Sequence, residues 1–214
     1  VPRSTTCPVT QAEPYVLATA FGEHPVYRRL KAEKRIFSPL LDFSDGWGSA
    51  EEAFVGLGRD LGIPARKSQL AFREAAEEQR RATEGLREEG RRFLGDLEGH
   101  PDRFAVVLLG RTYNTCVPEA HLSIPQKFAT RGIPVIPGEM LPVDGVPTDP
   151  DMYWSAGQTI LRAARRTREH PQLFGCHIIN FSCGPDSFLL GDARRIMGRK
   201  PFLVLELDSH TADA

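Results

Sequence analysis

The sequence predicts an α/β protein with a parallel, doubly wound sheet of the Rossmann or flavodoxin-like type, preceded by a helical segment. Apolar runs and helical patterns alternate after residue 102, whereas a charged stretch before it has helical spacing. The 214 residues are 41% hydrophobic and 26% charged, which is typical of a folded globular protein. Strands and helices that alternate at this spacing form βαβ units, and these units build parallel sheets.

We expect three parts along the chain. Residues 1–45 form the tail of a preceding α/β subdomain, 46–101 a helical linker segment, and 102–214 the parallel α/β subdomain. Within the first part, Tyr15–Phe21 suits a helix. The chain begins at Val1 without an initiator Met, so we expect it to be a piece of a longer polypeptide.

Residues 65–98 predict one long amphipathic helix. Apolar or neutral side chains recur every three or four positions, and charges of both signs fill the rest. Ser49–Glu52 and Ser68 are suitable helix starts, and Gly99–Pro101 is a stop signal. The helix either packs one face on the protein body or offers a coiled-coil surface to a partner.

Four segments are predicted as the strands of the sheet: the apolar runs Phe104–Leu109 and Ile133–Ile136, followed by Cys176–Phe181 and Phe202–Leu207. The intervening helices are expected at Leu122–Thr130, from a capping Asp151 to Arg168, and at Phe188–Met197. In such a sheet, ligands bind beyond the carboxyl ends of the strands. The loops expected there are rich in polar and sulfur-bearing side chains: Arg111, Tyr113, Asn114, Cys116, His121, Cys183, Asp186 and His210.

Several familiar site patterns are absent from the sequence. It has no P-loop, no dinucleotide-binding glycine pattern, no nucleophile elbow, and neither a Cys-x-x-Cys pair nor a His-Glu-x-x-His helix. A nucleotide site of these kinds and a self-contained zinc site are therefore not expected.

The chain has four cysteines: Cys7, Cys116, Cys176 and Cys183. In a reducing compartment they are thiols or metal ligands rather than disulfides. Cys183 lies between a predicted strand and helix, and a helix N-terminus favours a thiolate. It is therefore a candidate metal ligand or nucleophile, or simply a small residue in a tight turn. Cys176 and His177 should point to opposite faces of their strand and be buried and structural.

Charge and hydropathy exclude some functions. The 27 basic and 28 acidic residues give a net charge of −1, so bulk attraction to nucleic acid is not expected, although a local basic patch stays open. No apolar run approaches the ~18 residues of a membrane span, and the N-terminus lacks a signal-peptide pattern. We expect a soluble, cytoplasmic protein.

Blocks of sequence along nearly the whole chain carry a family resemblance. They are Thr6–Val9 with Glu13–Tyr15, Leu109–Asn114 with Ile124–Pro125, Met152–Ser155, Asn180–Phe188 and Glu206–Ala214. In this order they resemble the acyl-CoA dehydratase activase-related proteins, relatives of the 2-hydroxyacyl-CoA dehydratase subunits.

The resemblance implies oxygen-sensitive iron–sulfur chemistry. In such proteins, cysteines of successive α/β subdomains converge on a [4Fe–4S]-type cluster that receives low-potential electrons from an ATP-hydrolysing activase. Cys7 and Cys183 lie at the family's cysteine positions and are the expected ligands. An upstream cysteine of the family is absent from this chain. Cys116, where the family leads us to expect another residue, is an alternative ligand.

The implied function is electron transfer to a substrate, in dehydration of a 2-hydroxyacyl-CoA or a related reductive step. The expected partners are an activase domain or subunit and an acyl-CoA substrate, with a homodimer left as an option. Two other functions stay open: a non-catalytic electron-transfer or scaffold subunit, and a cluster-free flavodoxin-like binding module.

Further polar residues have two readings each. Arg111 and Tyr113 either contact an acyl-CoA phosphate or a cluster sulfide, or only brace their loop. Asp208 and His210 either transfer protons or serve as a helix cap and a surface residue. His121 is expected to begin a helix.

Overall fold

The computed structural model describes residues 5–180 and 183–207. The chain divides into two compact units, Val1–Arg81 and Ala82–Ala214. Within the described ranges, no helix has both the length and the apolar character needed to cross a membrane.

The first unit is helical. Its helices are α1 (Pro8–Phe21), α2 (Pro25–Ala32), α3 (Glu51–Asp60) and the first half of α4 (Ala65–Glu98), with a 3₁₀ turn at Trp47–Ala50. Its apolar cluster joins Ala50 and Phe54 to Phe72 and Ala76 of α4, and the rings of Phe54 and Phe72 lie 5.0 Å apart. The apolar run around Pro39 has no regular secondary structure.

Helix α4 has the predicted bounds, because one apolar stripe runs along a sequence without an internal proline. It begins directly after Pro64 rather than at Ser68, and it ends before Gly99. Farther along, Leu94 and Leu97 are buried. Gly90 packs directly on the Met140 carbonyl, where a Cβ atom would clash.

The second unit contains a four-stranded sheet. Its strands are β1 (Ala105–Leu109), β2 (Val135–Pro137), β3 (Leu173–Asn180) and β4 (Phe202–Leu207). They lie in the order β2-β1-β3-β4, and every neighbouring pair is parallel. Leu108 pairs with Cys176, and Ile178 pairs with Leu205. The predicted α/β class with a parallel, doubly wound sheet is confirmed.

The remaining helices connect or flank these strands: α5 (Thr112–Cys116), α6 (Pro118–His121), α7 (Ile124–Ala129), α8 (Ser155–Glu169) and α9 (Gly184–Met197). Ile124 of α7 joins a buried cluster with β1 and β3 residues such as Leu108 and Ile178. Helix α8 contacts α9 as well as β1 and β3. The fully buried Leu161 of α8 and Leu189 of α9 belong to this packing.

Three predicted helix starts are wrong. Helix α7 begins at Ile124 rather than Leu122, because Leu122 and Ser123 adopt left-handed φ angles of 49° and 57°. Helix α8 begins at Ser155, so Asp151 is not its cap; the Asp151 N–H instead donates to Asp149 Oδ1 at 3.2 Å in a turn. Helix α9 begins four residues before Phe188, since a proline fits its first turn.

His121 was expected to begin a helix, but it is the last residue of α6. Pro118 starts that short helix three residues earlier, and His121 becomes buried at its end. Strand β3 begins at Leu173, three residues before the predicted start. The predicted end of that strand, Phe181, lies outside the described residues.

Candidate functional site

The candidate site lies where β1 and β3 end side by side. Strand β1 has β2 on one side and β3 on the other, so the chain leaves β1 and β3 toward opposite edges of the sheet. Such a switch point leaves a crevice beyond the strand ends, which is the usual ligand position in this fold class. The segments that border it are Gly110–Cys116 after β1 and the turn from Asn180 into α9.

Gly110 lets the first segment pass close to β3. A Cβ atom at this position would lie 2.7 Å from the Ile178 carbonyl oxygen, which is too close for any side chain. The next residue, Arg111, therefore starts its turn directly beside the end of β3.

Arg111 ties the two segments together. Its Nε donates to Asp186 Oδ1 at 3.0 Å, and its Nη2 donates to Cys183 Sγ at 2.9 Å. The other carboxylate oxygen of Asp186 accepts the Asn180 N–H at 3.3 Å. The side chain of Arg111 is 15% exposed and that of Asp186 only 2%. This ion pair is thus largely removed from water, and both partners have several contacts to hold them.

Two aromatic rings flank the guanidinium. The Arg111 Cζ lies 4.8 Å from the Trp154 ring centroid and 5.8 Å from that of Tyr113, distances at which a cation and a ring attract. Burial is the largest single effect and opposes the charge of Arg111, but Asp186, Tyr113 and Cys183 together outweigh it, so the pKa of Arg111 is raised. Arg111 is therefore a fixed cation beside a sulfur atom.

Cys183 is the residue that caps the N-terminus of α9, and its side chain is partly buried. Burial raises the pKa of its thiol, although the Asp186 N–H and the Arg111 charge act in the opposite direction. The helix terminus acts in the expected direction, but burial outweighs it, so the net effect favours the protonated thiol. A coordinated metal ion deprotonates a thiol regardless of such a shift.

Tyr113 lies at the mouth of the crevice. Its hydroxyl accepts a hydrogen bond from Asn180 Nδ2 at 3.2 Å, and 43% of the residue is exposed. Burial raises the pKa of Tyr113, whereas Arg111 acts to lower it. The two predicted binding residues, Arg111 and Tyr113, thus lie together, with Arg111 inside and Tyr113 facing outward.

Polar groups without partners lie near the same strand ends. Asn114 is 1% exposed and neither of its amide atoms has a hydrogen-bond partner among the described residues. His177 is fully buried, and both ring nitrogens likewise have none there. Burial lowers the pKa of His177 to about 4, so its ring is neutral. The predicted burial of Cys176 and His177 is confirmed, and burial raises the pKa of Cys176 to about 12.

The other cysteines occupy different environments. Cys116 is exposed at the end of α5, with its Sγ 3.5 Å from Thr115 Oγ1, and Thr115 in turn donates to Glu139 at 3.1 Å. Cys7, in the first unit, is buried and precedes α1, where its carbonyl accepts the Gln11 N–H at 3.0 Å. The predicted ligand roles of Cys7 and Cys183 stay predictions.

A metal centre requires several ligating side chains at one place. Across residues 5–180 and 183–207, no three or more His, Cys, Asp or Glu side chains are grouped so as to hold a metal ion. Cys183 by itself suits one ligand position, because it is a free thiol that receives N–H donors from Arg111 and from the Asp186 backbone. The second unit as described thus fits a single thiolate ligand rather than a complete ligand set.

Two residues of the candidate site, Trp154 and Asp186, were not assigned a role from the sequence. Trp154 was noted only within a resemblance block, and its position just before a helix is the local signal that could have drawn attention to it. Asp186 was one of several polar loop residues, but an acidic side chain in the first turn of a helix after Cys-Gly-Pro is a stronger signal. Asp208 and His210 lie outside the described residues, and so does Ser182, which precedes Cys183 in the sequence.

Comparison with known families adds a relationship. Residues 1–141 match the model of the CoA enzyme activase uncharacterised domain (DUF2229). No curated protein and no solved structure matches the chain. The matched region includes Cys7, Arg111 and Tyr113, whereas Cys183 lies beyond it. Because the match covers well over half of the 214 residues, the chain belongs to the CoA enzyme activase uncharacterised domain family.

Proposed function

We propose that this chain is an iron–sulfur component of a 2-hydroxyacyl-CoA dehydratase/activase-related system. In this proposal it holds a low-potential [4Fe–4S]-type cluster through which electrons pass, driven by ATP hydrolysis, to a substrate. Membership of a CoA enzyme activase domain family supports the general assignment. Iron content tests the cluster and its ligands, and acyl-CoA titration tests the substrate.

The observation that carries the proposal is the environment of Cys183. Its sulfur lies at the switch point of the sheet and accepts an N–H from Arg111 at 2.9 Å. N–H donors to ligating sulfurs are a general feature of iron–sulfur sites, where they help to set the reduction potential. An unligated structural thiol has no need of a buried cation at this distance, since burial alone keeps it protonated.

The protein's own residues have distinct tasks in this proposal. Cys183 and Cys7 each supply one thiolate ligand. Asp186 and Trp154 hold the Arg111 guanidinium in place, and Trp154, only 6% exposed, keeps water from its face. Tyr113 lies at the exposed entrance, where an acyl-CoA substrate would arrive. When bound, the cluster supplies single electrons at low potential.

The proposal requires partners. Low-potential electrons come from an ATP-hydrolysing activase, either a separate subunit or another domain of the same polypeptide. No P-loop is present in this sequence, which agrees with hydrolysis taking place elsewhere.

A second candidate is a cluster-free flavodoxin-like binding module. It is favoured by the strand order β2-β1-β3-β4 and by the raised pKa of the Cys183 thiol, which disfavours a free thiolate.

A non-catalytic electron carrier or scaffold is distinguished from an enzyme component by acyl-CoA titration, because only the enzyme component changes its spectrum when the substrate is added.

The test is iron and acid-labile sulfide per chain in the full-length protein, prepared anaerobically. We expect stoichiometric iron in the wild type and a loss in Cys7→Ser and in Cys183→Ser. Cys176→Ala is the matched control, since that thiol is buried in the sheet and should not alter iron content. Cys116→Ser tests the alternative ligand. Full iron in both Cys7→Ser and Cys183→Ser would contradict the proposal and leave the binding module as the better function.

A further inference from the structure

Helix α1 has an apolar surface that no described part of the chain covers. Of its 14 residues only Glu13 is charged, and none is buried. Its large apolar side chains lie in the open, with Val16 60% exposed and Phe21 50% exposed. Val9 and Val16 are seven positions apart and therefore lie on one face of the helix, with Leu17 beside them. A helix of this composition is normally buried against other protein.

The same unit contains an open groove between α3 and α4, called here the α3–α4 groove. Its volume is about 440 Å³, and small residues of α4 such as Ala71 and Ala75 form part of its lining. Most of its larger side chains are apolar: Trp47, Phe54, Leu57, Leu61, Ile63 and Phe72. Leu61 is 54% exposed and Trp47 40% exposed, so this apolar lining is open to a partner.

Opposite charges accompany the two surfaces. Residues 23–35, which follow α1 and contain α2, carry five basic and two acidic side chains. Residues 36–58, which contain one wall of the groove, carry four acidic side chains and no basic one. The unit therefore has an apolar helix with a basic neighbour and an apolar groove with an acidic border.

Several of these charges are available to a partner. Lys31 and Lys34 form no ion pair with a described residue, and the same holds for Asp45 and Glu52. All four side chains are exposed. In protein interfaces, apolar burial supplies most of the affinity, whereas complementary charges at the rim select the partner and its orientation. The two surfaces of this unit thus complement each other in shape, hydropathy and charge.

We propose that two copies of this chain form a symmetric dimer in which α1 of each copy lies in the α3–α4 groove of the other. In a two-fold pair this contact occurs twice, once in each direction. On each copy, the helix and the groove together need to bury about 800 Å², the usual size for a stable interface. A 14-residue helix is about 21 Å long, which suits such a contact. The interface is independent of the cluster proposed above.

The oligomeric state of the full-length protein tests this interface. Sedimentation velocity at increasing protein concentration should show a monomer–dimer equilibrium, with a weaker dimer at high salt because the rim charges are screened. Val16→Glu places a charge on the helix face, and Ala75→Glu places one in the groove. Each variant should weaken the dimer about tenfold at each of its two contacts, or about a hundredfold in all, since a charge without a partner is costly in an apolar contact.

Two matched controls separate this contact from general effects of charge. Ala18→Glu adds the same charge to α1, but about 200° around the helix from Val16. Leu86→Glu adds it to α4 at an exposed position outside the groove. Both should keep the wild-type dissociation constant. Because α1 has no buried residue and Ala75 is exposed, the circular dichroism of all variants should match the wild type.

Mixing the two variants identifies the surfaces that meet. Each variant alone has both contacts damaged. A dimer with one copy of each retains one intact contact, in which α1 of the Ala75→Glu copy lies in the groove of the Val16→Glu copy. The mixture should therefore associate more tightly than either variant alone.

Four results would overturn the proposal: a wild-type chain that stays monomeric at every concentration, a dimer that both variants leave unchanged, a mixture no tighter than its components, or a dimer weakened by Leu86→Glu but not by Ala75→Glu. The last result would place the association on another face of α4. If either variant does not fold, Val9→Glu on α1 or Ala71→Glu in the groove takes its place, and a wild-type dissociation constant in that substitute overturns the proposal equally.

Discussion

His177 shows what complete burial does to a titratable side chain. It lies in β3 with no exposed surface, and its ring is stacked at a tilt against Phe202 with centroids 6.1 Å apart. Burial lowers its pKa to about 4, although the Asp186 charge acts in the opposite direction. The folded protein therefore favours the neutral form of the His177 ring, whereas the histidine of the unfolded chain has its usual pKa.

This difference predicts a pH dependence of stability. Because the folded pKa is below the unfolded value of about 6.5, the unfolded chain takes up the proton first as the pH falls. The contribution of the neutral ring is complete above pH 6.5 and is lost progressively toward pH 4. Between pH 7 and pH 5 the loss is on the order of 2 kcal/mol.

We expect His177→Phe to remove this loss, as measured by urea denaturation at the two pH values. The aromatic replacement keeps the ring against Phe202 but cannot bind a proton. His100→Gln is the control for the replacement of a histidine, because His100 is exposed. An equal loss of stability in His177→Phe and the wild type would contradict the prediction.

At the level of single residues, the sequence indicated the right loops but not the contacts within them. Arg111, Cys183 and Asp186 were all named from their positions after strands. Their hydrogen bonds were beyond prediction, since Arg111 and Asp186 are 75 positions apart and meet only because β1 and β3 are neighbours. The raised pKa of Cys183 was missed because burial, which local sequence does not reveal, outweighs the helix terminus.

Among the elements, helix α8 depends on one buried amide at its first turn. Gln158 is 4% exposed, and its Oε1 accepts the Asp149 N–H at 2.9 Å. Its Nε2 donates to the Asp149 carbonyl at 2.5 Å and also to the Met152 carbonyl. One side chain thus satisfies backbone groups of the segment that leads into the helix.

We expect Gln158→Leu to loosen this segment. The replacement fills similar space but leaves a buried N–H and two carbonyls without the amide, at a cost of about 1–3 kcal/mol for each group that stays unpaired. Hydrogen-exchange mass spectrometry should show faster exchange in residues 147–154.

The control for this prediction is Gln126→Leu, an exposed glutamine of α7. It changes the same side chain without removing a buried partner, so exchange in residues 147–154 should stay at the wild-type rate. If residues 147–154 exchanged at the wild-type rate in Gln158→Leu, other contacts would be enough to hold this segment and the prediction would be contradicted.

Elements with a strong local pattern were predicted well. Helix α4 and strand β4 have the bounds expected from the sequence, because a long apolar stripe defines the helix and a mostly apolar segment defines the strand. Helices α5 and α6 were not anticipated within the loop after β1. They have five and four residues, too few for a periodic pattern to be recognised.

At the scale of the whole molecule, β4 is the last strand in the order of the described sheet. Leu203 on this strand is 46% exposed, whereas Leu205, two residues on and on the same face, packs against the buried cluster of β1 and β3. An exposed edge strand with apolar side chains can pair with other chains, and a charge at such a position opposes this association.

We expect Leu203→Lys to reduce self-association, measured by light scattering at increasing protein concentration. Since the side chain is exposed, the free energy of unfolding should stay within about 0.5 kcal/mol of the wild type. Leu205→Lys is the comparison: a charge placed against the apolar cluster should destabilise the fold. Equal scattering by Leu203→Lys and the wild type would argue against association through this strand.

The order of the strands also bears on where the segment that matches the family model ends. That region stops at residue 141, after β1 and β2 but before β3 and β4. Since β1 pairs with β3 along its whole length, the boundary runs through the middle of a hydrogen-bonded sheet. Arg111 is on one side of it, and Asp186 and Cys183, to which its guanidinium donates, are on the other. A chimera that exchanged only the matched segment between relatives would therefore take Arg111 from one protein and Cys183 and Asp186 from another, so an exchange that keeps these contacts together must include the whole sheet.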